Sequence, residues 1–120
     1  MKKSDKKIEN AIREALTTVC DGALESVSGF VWITHMVNYD AFPQSLRIVC
    51  VFDTDEALSN AYDAKQDAYF YAAIEKALRG VNIKLNKLPQ QVSFDTEEAC
   101  QRTHAGKWQE RLAKVSGRLH

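Results

Sequence analysis

The chain has 120 residues, of which 45% are hydrophobic and 27% charged, so it is long enough for one globular domain over residues 1–120 with one core. Sixteen basic and sixteen acidic residues give a formal net charge of zero. The chain therefore lacks the overall positive charge that would favour non-specific binding to nucleic acid. No apolar stretch approaches the roughly 18 residues of a membrane span, and charged residues follow the basic N-terminus, so we expect a cytoplasmic protein without membrane contact.

The first half of the chain predicts a helix followed by a hairpin of two strands. Apolar residues at spacings of three and four predict a helix that begins near Ser4 or Asp5 and ends at Ser28-Gly29. Residues 30–37 are aromatic and β-branched, which is typical of a strand, and residues 38–44 form a loop. Residues 45–52 are the partner strand, and its apolar run from Ile48 to Phe52 predicts a central strand that is buried on both faces.

The second half predicts a helix, a second hairpin and a final helix. Residues 53–79 are helical in pattern, with a break near residues 62–65. Residues 81–85 alternate apolar and polar side chains like a strand, residues 87–89 form a turn, and residues 90–94 return as a strand. The last helix covers residues 95–115 and is weakened or split at Gly106. The element order α-β-β-α-β-β-α predicts an α+β fold, with a four-stranded, mainly antiparallel sheet packed on one face against helices.

The same short motif ends both predicted hairpins. Phe52-Asp53-Thr54 and Phe94-Asp95-Thr96 each follow an apolar alternation and precede a helix. Asp accepts well from the free N–H groups of a helix start, so Asp53 and Asp95 are the predicted N-caps. Glu56 would reach back to the Asp53 N–H and complete a capping box.

Residues 49–55 resemble motif I of the haloacid-dehalogenase-like phosphatases, an apolar strand followed by Asp-x-Asp. The resemblance implies that Asp53 is the nucleophile and Asp55 the general acid, with magnesium between phosphate and carboxylates. The family continues with Gly-Thr, whereas Glu56-Ala57 follow here, and a helix cap accounts for the same residues.

The cysteines and histidines indicate no metal site. Three cysteines without a C-x-x-C pair argue against a zinc ribbon and against a disulfide framework. Cys100 and His104 lie four apart on one helix face and would form half of a metal site, but the other half is missing, and His35 is far away in sequence. We therefore expect no metal and no other cofactor.

Charge and aromatic residues define two candidate surfaces. Residues 40–75 contain seven acidic and two basic residues, whereas residues 99–120 contain five basic residues and one acidic residue. The basic residues could contact phosphates, form a solvated surface or meet the acidic part of another copy. These five residues, termed the basic stripe, are Arg102, Lys107, Arg111, Lys114 and Arg118.

The second candidate surface is an aromatic set that comprises Tyr62, Tyr69, Phe70 and Tyr71. One helix face cannot bury all four rings, which favours an oligomer contact through some of them.

Residues 49–54 and 92–104 resemble a family of small uncharacterised bacterial proteins, some of which carry the label of Fis-family transcriptional regulators. Fis proteins are all-helical dimers that end in a helix-turn-helix, so the label implies DNA binding. If Gly106 were the turn glycine of that motif, Arg102 would occupy a position that requires alanine, and Gln101 and Lys107 would occupy apolar positions. The two predicted hairpins also have no counterpart in an all-helical fold.

These features favour a small non-catalytic protein that acts through protein contacts as a homodimer. The alternative is a nucleic-acid-binding transcriptional regulator that uses the basic stripe. A phosphatase-like hydrolase with Asp53 and Asp55 at its centre is the third hypothesis.

Overall fold

The computed structural model describes residues 2–116 of the chain, and the side chains of residues 2–114. They form a mixed α+β fold, which confirms the predicted class. The strands are β1 Phe30–Met36, β2 Arg47–Phe52 and β3 Val92–Thr96. The helices are α1 Lys3–Ser26, α2 Asp55–Asp63, α3 Gln66–Arg79, the single turn α4 Leu88–Gln91, α5 Glu97–His104 and α6 Trp108–Ser116. None of the helices in this part of the chain is both long and apolar enough to cross a membrane.

The described residues form a three-stranded sheet in the order β1-β2-β3, so the predicted four-stranded sheet is wrong. β1 pairs with β2 in antiparallel orientation, as expected, and β2 is the central strand. β3, however, runs parallel to β2, with Ile48 beside Val92 and Phe52 beside Thr96. Parallel neighbours need a long crossover connection, and α2 and α3 provide it.

Residues 81–85, predicted as the first strand of a second hairpin, are not a strand. Ile83 and Leu85 are buried and Lys84 is exposed, so the alternation of burial is real. It arises because this segment folds back on the end of α3, where the Ile83 N–H donates to the Leu78 carbonyl oxygen at 2.9 Å. Alternating burial against a helix end therefore imitates the pattern of a strand with one exposed face.

The sheet is covered by helices on both faces, rather than on the one face that was predicted. On one face, α1 and α3 pack over the sheet, and the rings of Phe30, Phe52 and Phe70 lie 5.2–6.0 Å apart in the core. Side chains alternate along β2, so Val51 points to the opposite face. There the two C-terminal helices contact the sheet.

Two predicted helix breaks are confirmed. α2 and α3 are separated at Lys65, which has a positive φ of 59°. α5 and α6 are separated at Ala105 and Gly106, whose φ values are 51° and 78°. Because a left-handed residue ends the helical hydrogen-bond ladder, each break turns the chain and allows the second helix to take a new direction.

Candidate functional site

The parallel pairing of β2 and β3 brings the two Phe-Asp-Thr motifs to one edge of the sheet. The N-caps are the threonines and not the predicted aspartates. Thr54 Oγ1 accepts from the Ala57 N–H at 3.0 Å, and Thr96 Oγ1 accepts from the Ala99 N–H at 2.9 Å. Each aspartate lies one residue too early, because α2 begins at Asp55 and α5 at Glu97.

The starts of α2 and α5 are linked to each other by hydrogen bonds. Thr96 Oγ1 donates to Asp55 Oδ1 at 2.6 Å, and Arg102 Nη1 donates to Asp55 Oδ2 at 2.9 Å. In the other direction, the Asp55 N–H donates to Glu98 Oε1 at 3.0 Å, and the Glu98 N–H donates to the Asp53 carbonyl oxygen at 3.1 Å. We call these five residues, Asp53, Asp55, Thr96, Glu98 and Arg102, the junction cluster.

The junction cluster has the charge distribution of a helix-capping structure. Carboxylates at helix N-termini interact favourably with the helix dipole. The hydrogen bond from Thr96, together with that from Arg102, holds the pKa of Asp55 below its ordinary value. A general acid must carry a proton near neutral pH, so this environment works against the role that the phosphatase resemblance implies for Asp55. Asp53 Oδ1 accepts from the Thr54 N–H at 2.7 Å and shapes the turn.

Two arginines of the basic stripe pair with carboxylates of the chain. Arg111 donates from Nε and Nη2 to both oxygens of Asp95, at 2.6 and 2.8 Å. Both side chains are 21% exposed, and the bond to Asp95 raises the pKa of Arg111. Arg102 pairs with Asp55, and Lys107 and Lys114 are exposed. Arg118 lies outside the described residues.

The contact between α6 and the sheet also uses two tryptophans. The rings of Trp32 in β1 and Trp108 in α6 meet edge to face, with centroids 4.7 Å apart. Trp32 Nε1 donates to Glu97 Oε1 at 2.8 Å. Together with the Arg111–Asp95 pair, this contact positions α5 and α6 on the sheet face that carries Val51.

Among the described residues, Cys100 and His104 approach no further metal ligand. Cys100 is fully buried, and burial raises the pKa of its thiol. The His104 ring nitrogen Nδ1 lies 2.9 Å from Thr103 Oγ1 and 3.2 Å from Arg111 Nη1. Within residues 2–116, no group of three or more His, Cys, Asp or Glu side chains is placed to hold a metal ion.

The aromatic set divides between surface and core. Tyr62 is 46% exposed and Tyr69 is 37% exposed, whereas Tyr71 is partly buried. Phe70 is completely buried in the core of the chain. Its side chain therefore cannot take part in the predicted oligomer contact. The ring of Phe94 contacts those of Tyr62, Phe70 and Tyr71.

A polar cluster that the sequence did not indicate joins α1 to β1 and the following loop. Glu9 Oε1 accepts from His35 Nε2 at 2.9 Å and from Tyr39 Oη at 2.5 Å. Burial opposes ionisation of Glu9, but these hydrogen bonds outweigh it and hold the pKa of Glu9 below its ordinary value. The three residues are far apart in sequence and follow no known motif, so only the tertiary structure brings them together.

No family model, curated protein or solved structure matches this chain. Three surfaces of the described residues remain as candidates for function: the junction cluster, the exposed tyrosines of α2 and α3, and a cleft at the opposite end of β2 and β3.

Proposed function

We propose that this chain is a small, non-catalytic, cytoplasmic protein that acts through protein contacts and forms a homodimer. The observation that carries this proposal is the exposure of Tyr62 in α2 and of Tyr69 in α3. Tyrosine is enriched in protein interfaces because it has a large apolar ring and a polar tip.

Both tyrosine rings are held in place before any partner arrives. The ring of Tyr69 packs against Phe70, with centroids 5.6 Å apart, and the ring of Tyr62 packs against Phe94 at 5.5 Å. A side chain that is already ordered loses little conformational entropy when a partner covers its free face. The two rings are thus pre-organised for a contact.

The surface of α3 between its tyrosines permits close approach of another helix. Ala68 and Ala72 are exposed there, and the helical period places them between Tyr69 and Tyr71. Small residues allow two helix axes to approach closely. We define this surface, Tyr62, Ala68, Tyr69, Tyr71 and Ala72, as the tyrosine surface.

Charge around the tyrosine surface favours a second copy of the chain as its partner. Residues 63–79 contain three acidic and three basic residues, so a symmetric contact between two copies through this segment carries no net repulsion. These residues are Asp63, Lys65, Asp67, Glu75, Lys76 and Arg79. Glu75 and Arg79 already form an ion pair at 3.9 Å on the exposed side of α3.

The substitution Ala72→Arg tests the dimer without touching the core. It places a long charged side chain at the centre of the tyrosine surface, and we expect it to weaken dimerisation by about tenfold or more in sedimentation equilibrium. Ala113→Arg is the matched control, because Ala113 is also an exposed alanine within a helix, but it lies in α6 on the other side of the sheet. The control should dimerise like the unmodified protein. A monomer at every concentration, or equal weakening in both variants, would overturn the proposal.

The nucleic-acid alternative depends on Lys107 and Lys114, which are exposed, whereas Arg102 and Arg111 are paired with carboxylates. If it were correct, mixed nucleic-acid fragments would bind at low salt, and the affinity would fall by about one logarithmic unit per unit of log salt for each phosphate contacted. Lys107→Gln and Lys114→Gln would each reduce that slope. Binding with this signature by a monomeric protein would replace the dimer proposal.

A further inference from the structure

A cleft of about 510 Å³ opens at the amino ends of β2 and β3, at the opposite end of these strands from the junction cluster. One wall is the loop that leads into β2, and the other is the segment that leads through α4 into β3. Its lining residues come from two short stretches, residues 41–47 and 85–91. The volume is within the range of ordinary small-molecule sites.

The two walls of the cleft are tied together by Gln91. This side chain is only 6% exposed, and its Nε2 lies 3.0 Å from the Pro43 carbonyl oxygen and 3.1 Å from that of Leu46. Carbonyl oxygens only accept, so the amide nitrogen faces the loop and the amide oxygen is left as an acceptor. A buried hydrogen-bonded side chain therefore fixes the two walls relative to each other.

The charge of the cleft is positive. Arg47 and Lys87 line it, and none of the lining residues is acidic. Arg47 Nη1 donates to the carbonyl oxygens of Gln44 and Leu46, at 2.8 and 3.1 Å, and these bonds orient the guanidinium. Its Nε and Nη2 groups bond to no described residue and can donate to another acceptor. Lys87 forms no ion pair with a described residue. Asp40, the acidic residue nearest to the lining in sequence, is exposed outside it.

The segment that forms one wall also has backbone N–H groups without a described backbone acceptor. The N–H groups of Leu85, Asn86 and Lys87 donate to no described backbone carbonyl oxygen. The remaining lining combines the side-chain amides of Gln44, Asn86 and Gln90 and the side chain of Ser45 with apolar atoms. This is a set of donors for an anionic group, next to a surface that accepts a polar organic body.

We propose that this cleft binds a small organic anion, whose phosphate or carboxylate group is held between Arg47 and Lys87. Arginine binds both groups through paired N–H donors, and lysine adds a point charge. The body of the ligand lies along the amides of Gln44, Asn86 and Gln90. This site does not depend on the tyrosine surface and is compatible with the chain as monomer or dimer.

The test is a titration of the full chain followed by the backbone amide signals in NMR at low salt. The probes are adenosine monophosphate as a phosphate ester, citrate as a carboxylate, inorganic phosphate, and adenosine as the neutral control. We expect one or more of the anions to shift the signals of residues 41–47 and 85–91 at millimolar concentration, and adenosine to shift none. Which anions bind distinguishes a phosphate ligand from a carboxylate ligand.

Charge-removing variants show whether the cleft is the binding site. Arg47→Gln and Lys87→Gln should each weaken binding by about tenfold or more, as expected for loss of one charge-assisted hydrogen bond. Lys84→Gln is the matched control, because Lys84 is exposed on the same segment but does not line the cleft. It should bind within about twofold of the unmodified protein. No shifts with any anion, equal binding of adenosine and its monophosphate, or equal weakening by Lys84→Gln would overturn the proposal.

Discussion

Replacing Arg111 by glutamine should lower the free energy of unfolding by about 2 kcal/mol, because its ion pair with Asp95 is largely enclosed. Exposed ion pairs contribute about 0–1 kcal/mol, and removal of one partner of a buried pair costs about 3–5 kcal/mol. Arg111 and Asp95 are each 21% exposed and are joined by two short bonds, so an intermediate value applies. Arg111 Nη1 also donates to Thr103 Oγ1, and this bond is lost in the same variant.

A double-mutant cycle separates the ion pair from these other contacts. Asp95→Asn is the second variant, since an asparagine oxygen can still accept from the Thr96 N–H, which lies 2.8 Å from Asp95 Oδ1. Urea denaturation of the four proteins should give a coupling energy of about 1–2 kcal/mol between positions 95 and 111. The matched cycle of Arg102→Gln and Asp55→Asn, whose side chains are 58% and 46% exposed, should give a clearly smaller value. Equal coupling in the two cycles would refute the reasoning from burial.

Thr54→Ala should lower the free energy of unfolding by about 1 kcal/mol, as expected for loss of an N-cap. Thr96→Ala should cost more in the same urea assay, because its buried hydroxyl also donates to a carboxylate of α2, and equal losses would contradict this. In NMR titrations, the Glu9 carboxyl should titrate below its ordinary pKa of 4.5. Because its pKa is lowered on folding, its contribution to stability is present above that value and is lost as the pH falls through the folded pKa; titration at or above 4.5 would refute the assignment. A thiol reagent should modify Cys20 first in the native protein, since the other two cysteines are buried, and simultaneous modification of all three would argue against the packing of the core.

The sequence was informative where the signal for an element lies within that element. The structure confirms the first helix, which was predicted from its apolar stripe, and the β1–β2 hairpin. It also confirms the buried central strand, which was predicted from the run from Ile48 to Phe52. The breaks at Lys65 and Gly106 were also predicted, because loss of helical pattern and a glycine are local features. Local periodicity is thus sufficient for most elements of this fold.

The pairing of β3 was not predictable from local pattern. Residues 81–85 alternate like a strand, and a turn signal at Leu88-Pro89 follows them, so a second hairpin was the natural interpretation. The structure instead forms one helical turn there, and β3 pairs with a strand that precedes the α2–α3 crossover. Strand order depends on contacts between segments that are distant in sequence, and the pattern within either segment does not report them.

The candidate surfaces were predicted in part, for the same reason. Helical spacing grouped the basic residues, but Arg102 lies in α5 and Arg111 in α6. They pair with Asp55, which follows the first Phe-Asp-Thr motif, and with Asp95 of the second. The cleft around Arg47 and Lys87 combines residues about 40 positions apart, and no motif marks either of them. The basic and aromatic side chains could be recognised from the sequence because of their residue types. Their carboxylate partners and the cleft could not, because these depend on contacts between distant segments.

The central strand gains its two neighbours at different times as the chain folds. β1 immediately precedes β2 and can pair with it as a hairpin, whereas β3 becomes available only after α2, α3 and the segment behind them have been synthesised. Until β3 docks, one edge of the most apolar strand in the chain has no partner, and such an edge can pair with a strand of another molecule. Aggregation of this protein should therefore begin from an intermediate that contains the β1–β2 hairpin and lacks β3, and truncation before residue 92 should trap that intermediate.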